Sequence, residues 1–327
     1  MIDSTLARLS QASAGVRYKS DPFQTYFDVP VAGGALTVAH AGSPPESSRA
    51  VVLALHGMTS CHMAYRTLAR ELCSNAPSIC LLAPDLRGRG RNADLPEPYG
   101  IAVHLDDLLA VLDHADAERA IVVGHSMGCS VAARFAADHP ERVAALVLLD
   151  GGVPLLSEDV LSEDVLSDSA DGDEPRGMVD RLETTFGTVE EYLAYWQNHP
   201  SLKAAWDEDI DAFVRSDFVE CEDGVRCVHN LNAILTDLAN VTFDGLTRTS
   251  VLRARAPVRL VRAERGLLDD DPFIPLSQLD EFLQQHPHVS VEMVPDVNHY
   301  TLLMGGGHGA RRVAGTVAEL AVEHLPA

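Results

Sequence analysis

A mostly parallel β-sheet with helices on both faces is the fold class predicted by this 327-residue chain, and three observations predict it. Apolar, β-branched runs at 35–39, 51–55, 79–83, 120–123, 144–149, 257–262 and 289–294 alternate with helix-like segments such as 62–74, 101–115 and 129–138. Several of these runs are apolar throughout, the mark of strands buried on both faces. One of them passes through Gly-x-Ser-x-Gly straight into a helical pattern.

Taken in order, Val51–Leu55 ends in His56-Gly57-Met58-Thr59-Ser60, a strand-to-loop break that frees backbone N–H groups. The run at 79–83 leads into Pro84-Asp85-Leu86-Arg87-Gly88-Arg89-Gly90. The run Ala120–Val123 stops at Gly124-His125-Ser126-Met127-Gly128, and Ser130–Ala137 continues as a helix. Only small residues tolerate so sharp a turn, which lifts Ser126 off the sheet as a candidate nucleophile. The first N–H groups of the helix, Met127 among them, then face whatever the serine attacks, and the N–H of Met58 can complete an oxyanion hole. Late in the chain, Val289–Val294 alternates as a strand and Asp296-Val297-Asn298-His299-Tyr300 follows, which nominates His299 as general base. The glycines at 305–309 follow no strand and form a turn before a last helix, Ala310 to His324.

These features, the His56-Gly57 turn, the Asp85-Leu86-Arg87-Gly88-Arg89-Gly90 run, the Ser126 elbow and the late His299, stand in the order and spacing of the α/β-hydrolase superfamily, which the chain resembles over nearly its whole length. Asn92 departs from the pattern, since relatives often carry Ser near that place. The resemblance implies an α/β-hydrolase core at 1–150 and 251–327, with an acidic helical cap at 151–250 that covers Ser126 and selects the substrate. It also implies a carboxylate to orient His299. Two places offer one: Asp150, at the end of an apolar strand and before two glycines, and the Asp269–Asp271 cluster. Asp269 keeps the Gly-x-x-Asp spacing from Gly266, and Asp271 has an Asp-Pro context. Asp150 is preferred, with Asp269 or Asp271 as the alternative acid.

Other residues have plainer explanations. His125 and His56 fit structural roles at the elbow and the oxyanion turn; Thr59, Ser60 and His62 suit either pocket lining or loop solvation; Asp85 and Arg87 fit a scaffold role. Trp196 and Trp206 are ten residues apart, so one apolar helical face could hold both. His199 and His229 read as surface or cap histidines. The six cysteines have no metal-binding spacing, and Cys221 and Cys227, although able to approach each other, are expected to stay reduced. A calcium loop at Asp171 and Asp173 lacks the required Gly and distal Glu. The motifs call for neither cofactor nor metal.

Composition, 46% hydrophobic and 22% charged, is that of a globular enzyme. The formal charge of −23 argues against nucleic acid or an anionic membrane as partner. Residues 151–250 hold 22 acidic against 6 basic residues, so −16 of that charge belongs to the insert, whose field disfavours anionic substrates at long range. The first ten residues lack a basic and apolar leader, and no run reaches membrane-spanning length, so a cytoplasmic protein is expected. Homo-oligomerisation is left open. The function expected is hydrolysis of a carboxylic ester or lactone of an apolar small molecule by a serine nucleophile through an acyl-enzyme. The rivals are a C–C bond hydrolase or perhydrolase on the same fold, and a ligand receptor that retains the triad. Epoxide and haloalkane hydrolysis are disfavoured because those relatives carry Asp where this chain has Ser126.

Overall fold

A computed structural model describes residues 21–23, 25–154 and 178–325. Six strands come first: β1 (Thr25–Val31), β2 (Gly34–Gly42), β3 (Ala50–Leu55), β4 (Ile79–Pro84), β5 (Ala120–His125) and β6 (Val143–Leu149). The insert holds β7 (Thr185–Phe186), β8 (Phe218–Cys221) and β9 (Gly224–Cys227), and the core resumes with β10 (Val258–Arg265) and β11 (Ser290–Asn298). The main sheet runs β1-β2-β4-β3-β5-β6-β10-β11; the pairs β1/β2 and β2/β4 are antiparallel and the rest parallel.

The solidly apolar strands follow from burial on both sides. Val52, Ala54, Ile121 and Val123 point into one core with Leu68 of α1 (Arg66–Asn75). Their neighbours Val51, Leu53, Leu55 and Val122 point into the other, with Leu108 of α2 (Ile101–His114) and Phe135 of α3 (Met127–Asp138). The insert contributes α4 (Met178–Glu183), α5 (Val189–Asn198), α6 (Glu208–Arg215), α7 (Leu231–Phe243) and α8 (Gly245–Arg248), and α9 (Ser250–Arg253) leads from it back into the core. After it, α10 (Leu276–Gln285) covers the second face, and α11 (His308–His324) returns beside α1 to cover the first.

The strand expected at 35–39 is found, with an unforeseen neighbour, and two expectations about the insert need correction. The run at 35–39 is the middle of β2 and pairs with a strand the sequence conceals: β1 is half-buried, lies at the sheet edge and carries Pro30, which only an edge tolerates. The insert is not purely helical, because β7-β9-β8 form a small antiparallel sheet of strands too short to show a period of two. Trp206 lies half-buried in the connection between α5 and α6, so it shares no helical face with Trp196. In the β8–β9 hairpin Cys221 pairs with Gly224 and Cys227 with Phe218, which sets the two thiols at opposite ends; all six cysteines are free. Asp171, Asp173 and the tandem acidic repeat at 157–166 lie outside the described residues.

Charge pairs bolt the insert to the core, among them Arg134 Nη1 with Asp244 Oδ2 at 3.1 Å and two clusters around buried aspartates. Asp209 of α6 accepts from Arg66 Nε at 2.8 Å and from both Nη atoms of Arg70 at 2.7 and 2.6 Å. Burial pushes the Asp209 carboxyl up, but these guanidinium bonds outweigh it and bring it down to about 2. Asp237 of α7 pairs with Arg89 and accepts from His104 Nε2 at 2.9 Å, all three being fully buried. No helix among the described residues is long and apolar enough to cross a membrane.

Candidate active site

Ser126 occupies the corner between β5 and α3 with φ of +55°, a left-handed conformation that side chains other than glycine adopt at a cost of order 1 kcal/mol or more. Two glycines make the corner possible. A Cβ on Gly128 would lie 2.0 Å from the Leu55 carbonyl oxygen, and one on Gly124 would lie 2.3 Å from that of Gly128. The first turn of α3 therefore sits against the ends of β3 and β5, at the carboxyl edge where open parallel sheets gather ligands. The Ser126 N–H donates to Leu149 O at 3.0 Å, which fixes the turn to β6.

His299 follows β11 and is buried, and its Nδ1 lies 2.7 Å from Asp150 Oδ2. Asp150, 1% exposed, ends β6 at φ of +50°. Its N–H donates to Val261 O at 2.9 Å and its Oδ1 accepts the Ala263 N–H at 3.1 Å, so β10 holds both its backbone and one carboxylate oxygen. The alternative acids lie elsewhere. Asp269, 38% exposed, accepts from Arg265 Nε at 2.7 Å and Asn298 Nδ2 at 2.8 Å, and Asp271 is exposed. Their loop meets His299 through its backbone, with the His299 N–H 3.4 Å from Gly266 O, and leaves the ring to Asp150.

Ser126, His299, Met58 and Met127 line one cavity of about 170 Å³ with Gly57, Thr59 and Ser60; His62 does not reach it. Arg89 ties down the methionines: its Nε donates to Met58 O at 3.1 Å, and its Nη2 lies 3.7 Å from the sulfurs of Met58 and Met127. Met127 opens α3, where the first N–H groups have no helical partner.

Two buried histidines hold this corner in place. His56 Nδ1–H donates to Gly57 O at 2.8 Å, and Nε2 accepts the Leu86 N–H at 2.8 Å, a pattern that only the neutral ring satisfies. His125 Nε2–H donates to His299 O at 2.9 Å. Burial pushes both imidazoles down to about 3. Between roughly pH 6.5 and pH 3 the unfolded chain therefore binds two protons that the folded chain refuses, so stability is complete above this window and falls on acidification through it. The slope is on the order of 3 kcal/mol per pH unit for the pair. Thermal melts at pH 7.5 and 5.5 should show a Tm lower by about 5 °C at the lower pH; an unchanged Tm would mean that these rings already carry charge in the fold.

Around this centre, Asp85 accepts from the N–H and Nδ1 of His62 at 2.6 and 2.8 Å. Burial raises the Asp85 carboxyl, yet the His62 ring overcomes this and holds it below the usual carboxylate range. Arg87 forms a two-pronged pair with Asp107 at 3.0 and 2.8 Å. Of the surface or cap positions expected for His199 and His229, the surface one is corrected, since both lie buried within the insert: His229 Nε2 lies 2.6 Å from Asp217 Oδ1, and the His199 ring packs on Trp196 and Tyr300. Two buried groups, Cys61/His62/Asp85 and Asp217/Cys227/His229, bring potential metal ligands within 4.8 Å. In the second, Arg181 already sits on Asp217 at 3.0 Å, which opposes a cation there. Trp196 lines the cavity, and so does Arg181, which sequence reasoning passed over. Its one signal was a basic side chain in an acidic insert.

A family model described as the alpha/beta hydrolase fold matches residues 50–305. A Mycobacterium tuberculosis protein named lipase LipV is 42% identical over 109 residues, 33% of this chain and 40% of that protein. The chain thus spans less than half the length of that curated relative. A candidate 2-succinyl-6-hydroxy-2,4-cyclohexadiene-1-carboxylate synthase of Bacillus subtilis is 28% identical over 271 residues, 80% of this chain and 87% of that one. Among solved structures, E-2-(acetamidomethylene)succinate hydrolase shares the fold with a TM-score of 0.69 at 20% identity, over 93% of this chain and 100% of that one. With the family model covering most of the chain and the sheet order matching its fold, this protein belongs to the α/β-hydrolase family.

Proposed function

We propose that the protein is a serine hydrolase that cleaves a carboxylic ester or lactone of an apolar small molecule through an acyl-enzyme. The observation that carries this reading is the commitment of His299 Nδ1–H to Asp150, which leaves Nε2 as the basic nitrogen in the cavity that Ser126 also lines. In this scheme His299 Nε2 takes the Ser126 proton as the hydroxyl oxygen attacks the acyl carbon. The backbone N–H groups of Met58 and Met127 receive the oxyanion, and the imidazolium returns the proton to the departing alkoxide. Water, deprotonated by the same ring, then releases the acid and regenerates Ser126.

The insert acts here as the cap that selects the substrate, and Met58, Val153, Met178, Phe213 and Phe273 give the cavity its apolar character. The lipase name of one relative, matched over a third of this chain, agrees with the ester reading. The test is a panel of p-nitrophenyl esters and simple lactones combined with a fluorophosphonate probe. The expected result is a burst of p-nitrophenol stoichiometric with enzyme and a probe adduct on the Ser126 peptide. A folded protein that cleaves no ester or lactone and takes no probe overturns the reading. Cleavage of diketones by that same protein would favour the C–C hydrolase rival, and saturable ligand binding without turnover the receptor.

A further inference from the structure

We infer that the wall of the cavity built by the insert is a carboxylate subsite, in which Arg181 and Trp196 bind an anionic group carried by the substrate away from the bond that Ser126 attacks. This rests on the serine-hydrolase reading for the bond broken, but not for the group bound.

Arg181 on α4 is 1% exposed and Trp196 on α5 is 3% exposed, and both line the cavity shared by Ser126 and His299. The Arg181 guanidinium carbon lies 4.9 Å from the centre of the Trp196 ring. Among the described residues Arg181 is held through one nitrogen: Nη1 donates to Asp217 Oδ2 at 3.0 Å and contacts Tyr192 Oη and Cys227 Sγ, each at 3.4 Å. Asp217 is itself fixed by His229 Nε2 and by the Tyr192 hydroxyl. At the other side of the guanidinium, Nε is buried without a hydrogen-bond partner among the described residues, and the indole Nε1 of Trp196 is in the same state.

Both atoms are donors only, and a buried donor left unmade is costly, so these two neighbouring residues of one cavity wall call for an acceptor that the described residues do not supply. Ser60 Oγ, also buried and unpartnered among the described residues, lines the same cavity. A carboxylate fits best. It offers several lone pairs, takes charge-assisted bonds from a guanidinium, and receives a second bond from the indole. The repulsion of anions by the acidic insert acts at long range and is screened by salt, whereas these donors act in contact.

The test compares mono-p-nitrophenyl glutarate with p-nitrophenyl valerate, acyl groups of equal length that differ in a terminal carboxylate. The wild type should favour the glutarate ester in kcat/KM, with the preference growing as KCl is raised. Trp196→Phe, which keeps the ring and removes the N–H, and Arg181→Lys should each cut that preference by about tenfold or more. In parallel, free glutarate should bind Ser126→Ala in calorimetry, and adding Trp196→Phe should weaken it. Valerate preferred at every salt concentration, with no glutarate binding to Ser126→Ala, overturns the subsite while leaving the serine-hydrolase reading intact. Glutarate binding without Ser126-dependent cleavage of either ester upholds the subsite and overturns that reading. Because Trp196→Phe changes no ion pair, misfolding of Arg181→Lys does not remove the test.

Discussion

Ser126→Ala is expected to lower kcat for any ester that the wild type turns over by about 10⁶-fold, the scale on which an isolated serine nucleophile is lost. The loss is chemical. The Ser126 N–H still reaches Leu149 O, and the flanking Gly124 and Gly128 still admit the turn. Alanine bears the φ of +55° with a strain similar to serine's, so the melting temperature should stay within a few degrees of wild type. Residual turnover above that of water should persist through the Met58 and Met127 N–H groups. Steady-state kinetics beside a thermal melt decide the matter; a loss under about 100-fold in a folded variant would remove Ser126 from the chemistry.

Asp150→Asn should cost about 10⁴-fold in kcat with little change in KM. Each carboxylate oxygen has one job, Oδ1 accepting the Ala263 N–H and Oδ2 facing His299 Nδ1. An amide keeps one acceptor. If its oxygen stays with Ala263, its NH₂ group meets Nδ1, and the imidazole must move its proton to Nε2, which disarms the base. Asp269→Asn should change kcat by less than about tenfold, since its partners are Arg265 and Asn298 and it lies well out in solvent, where an ion pair is worth little. Equal losses in the two variants would contradict the assignment of Asp150. A loss confined to Asp269→Asn would reverse it.

How far the sequence could carry these assignments depended on the kind of interaction. The strands at 51–55 and 120–123 were legible because burial on both faces leaves only apolar residues, and the elbow because Gly124 and Gly128 answer a steric need that no other residue meets. The acid was harder to see. Asp150 and Asp269 each follow a strand at positive φ, and the difference lies in which one reaches a ring 149 residues from Asp150 along the chain, a matter of how β6, β10 and β11 lie side by side. The strand β1, with Asp28 and Pro30 in a half-buried edge, has no pattern to betray it. The cap sheet was hidden by strands of two and four residues. Arg181 was invisible for another reason: its neighbours Tyr192, Asp217 and Cys227 converge only once α4, α5 and the β8–β9 hairpin have packed.

The Arg89 guanidinium joins two parts that are easily thought of as separate modules. One side holds the Met58 carbonyl and touches the sulfur of Met127, and the other pairs with Asp237 of the insert. Exchanging the insert for that of another family member, in the hope of changing specificity alone, therefore exchanges the counter-ion of the residue that holds the Met58 loop in place. Chimeras that keep an aspartate at the Asp237 position should inherit an intact corner around Ser126, whereas those that lose it should bury an uncompensated cation beside that corner.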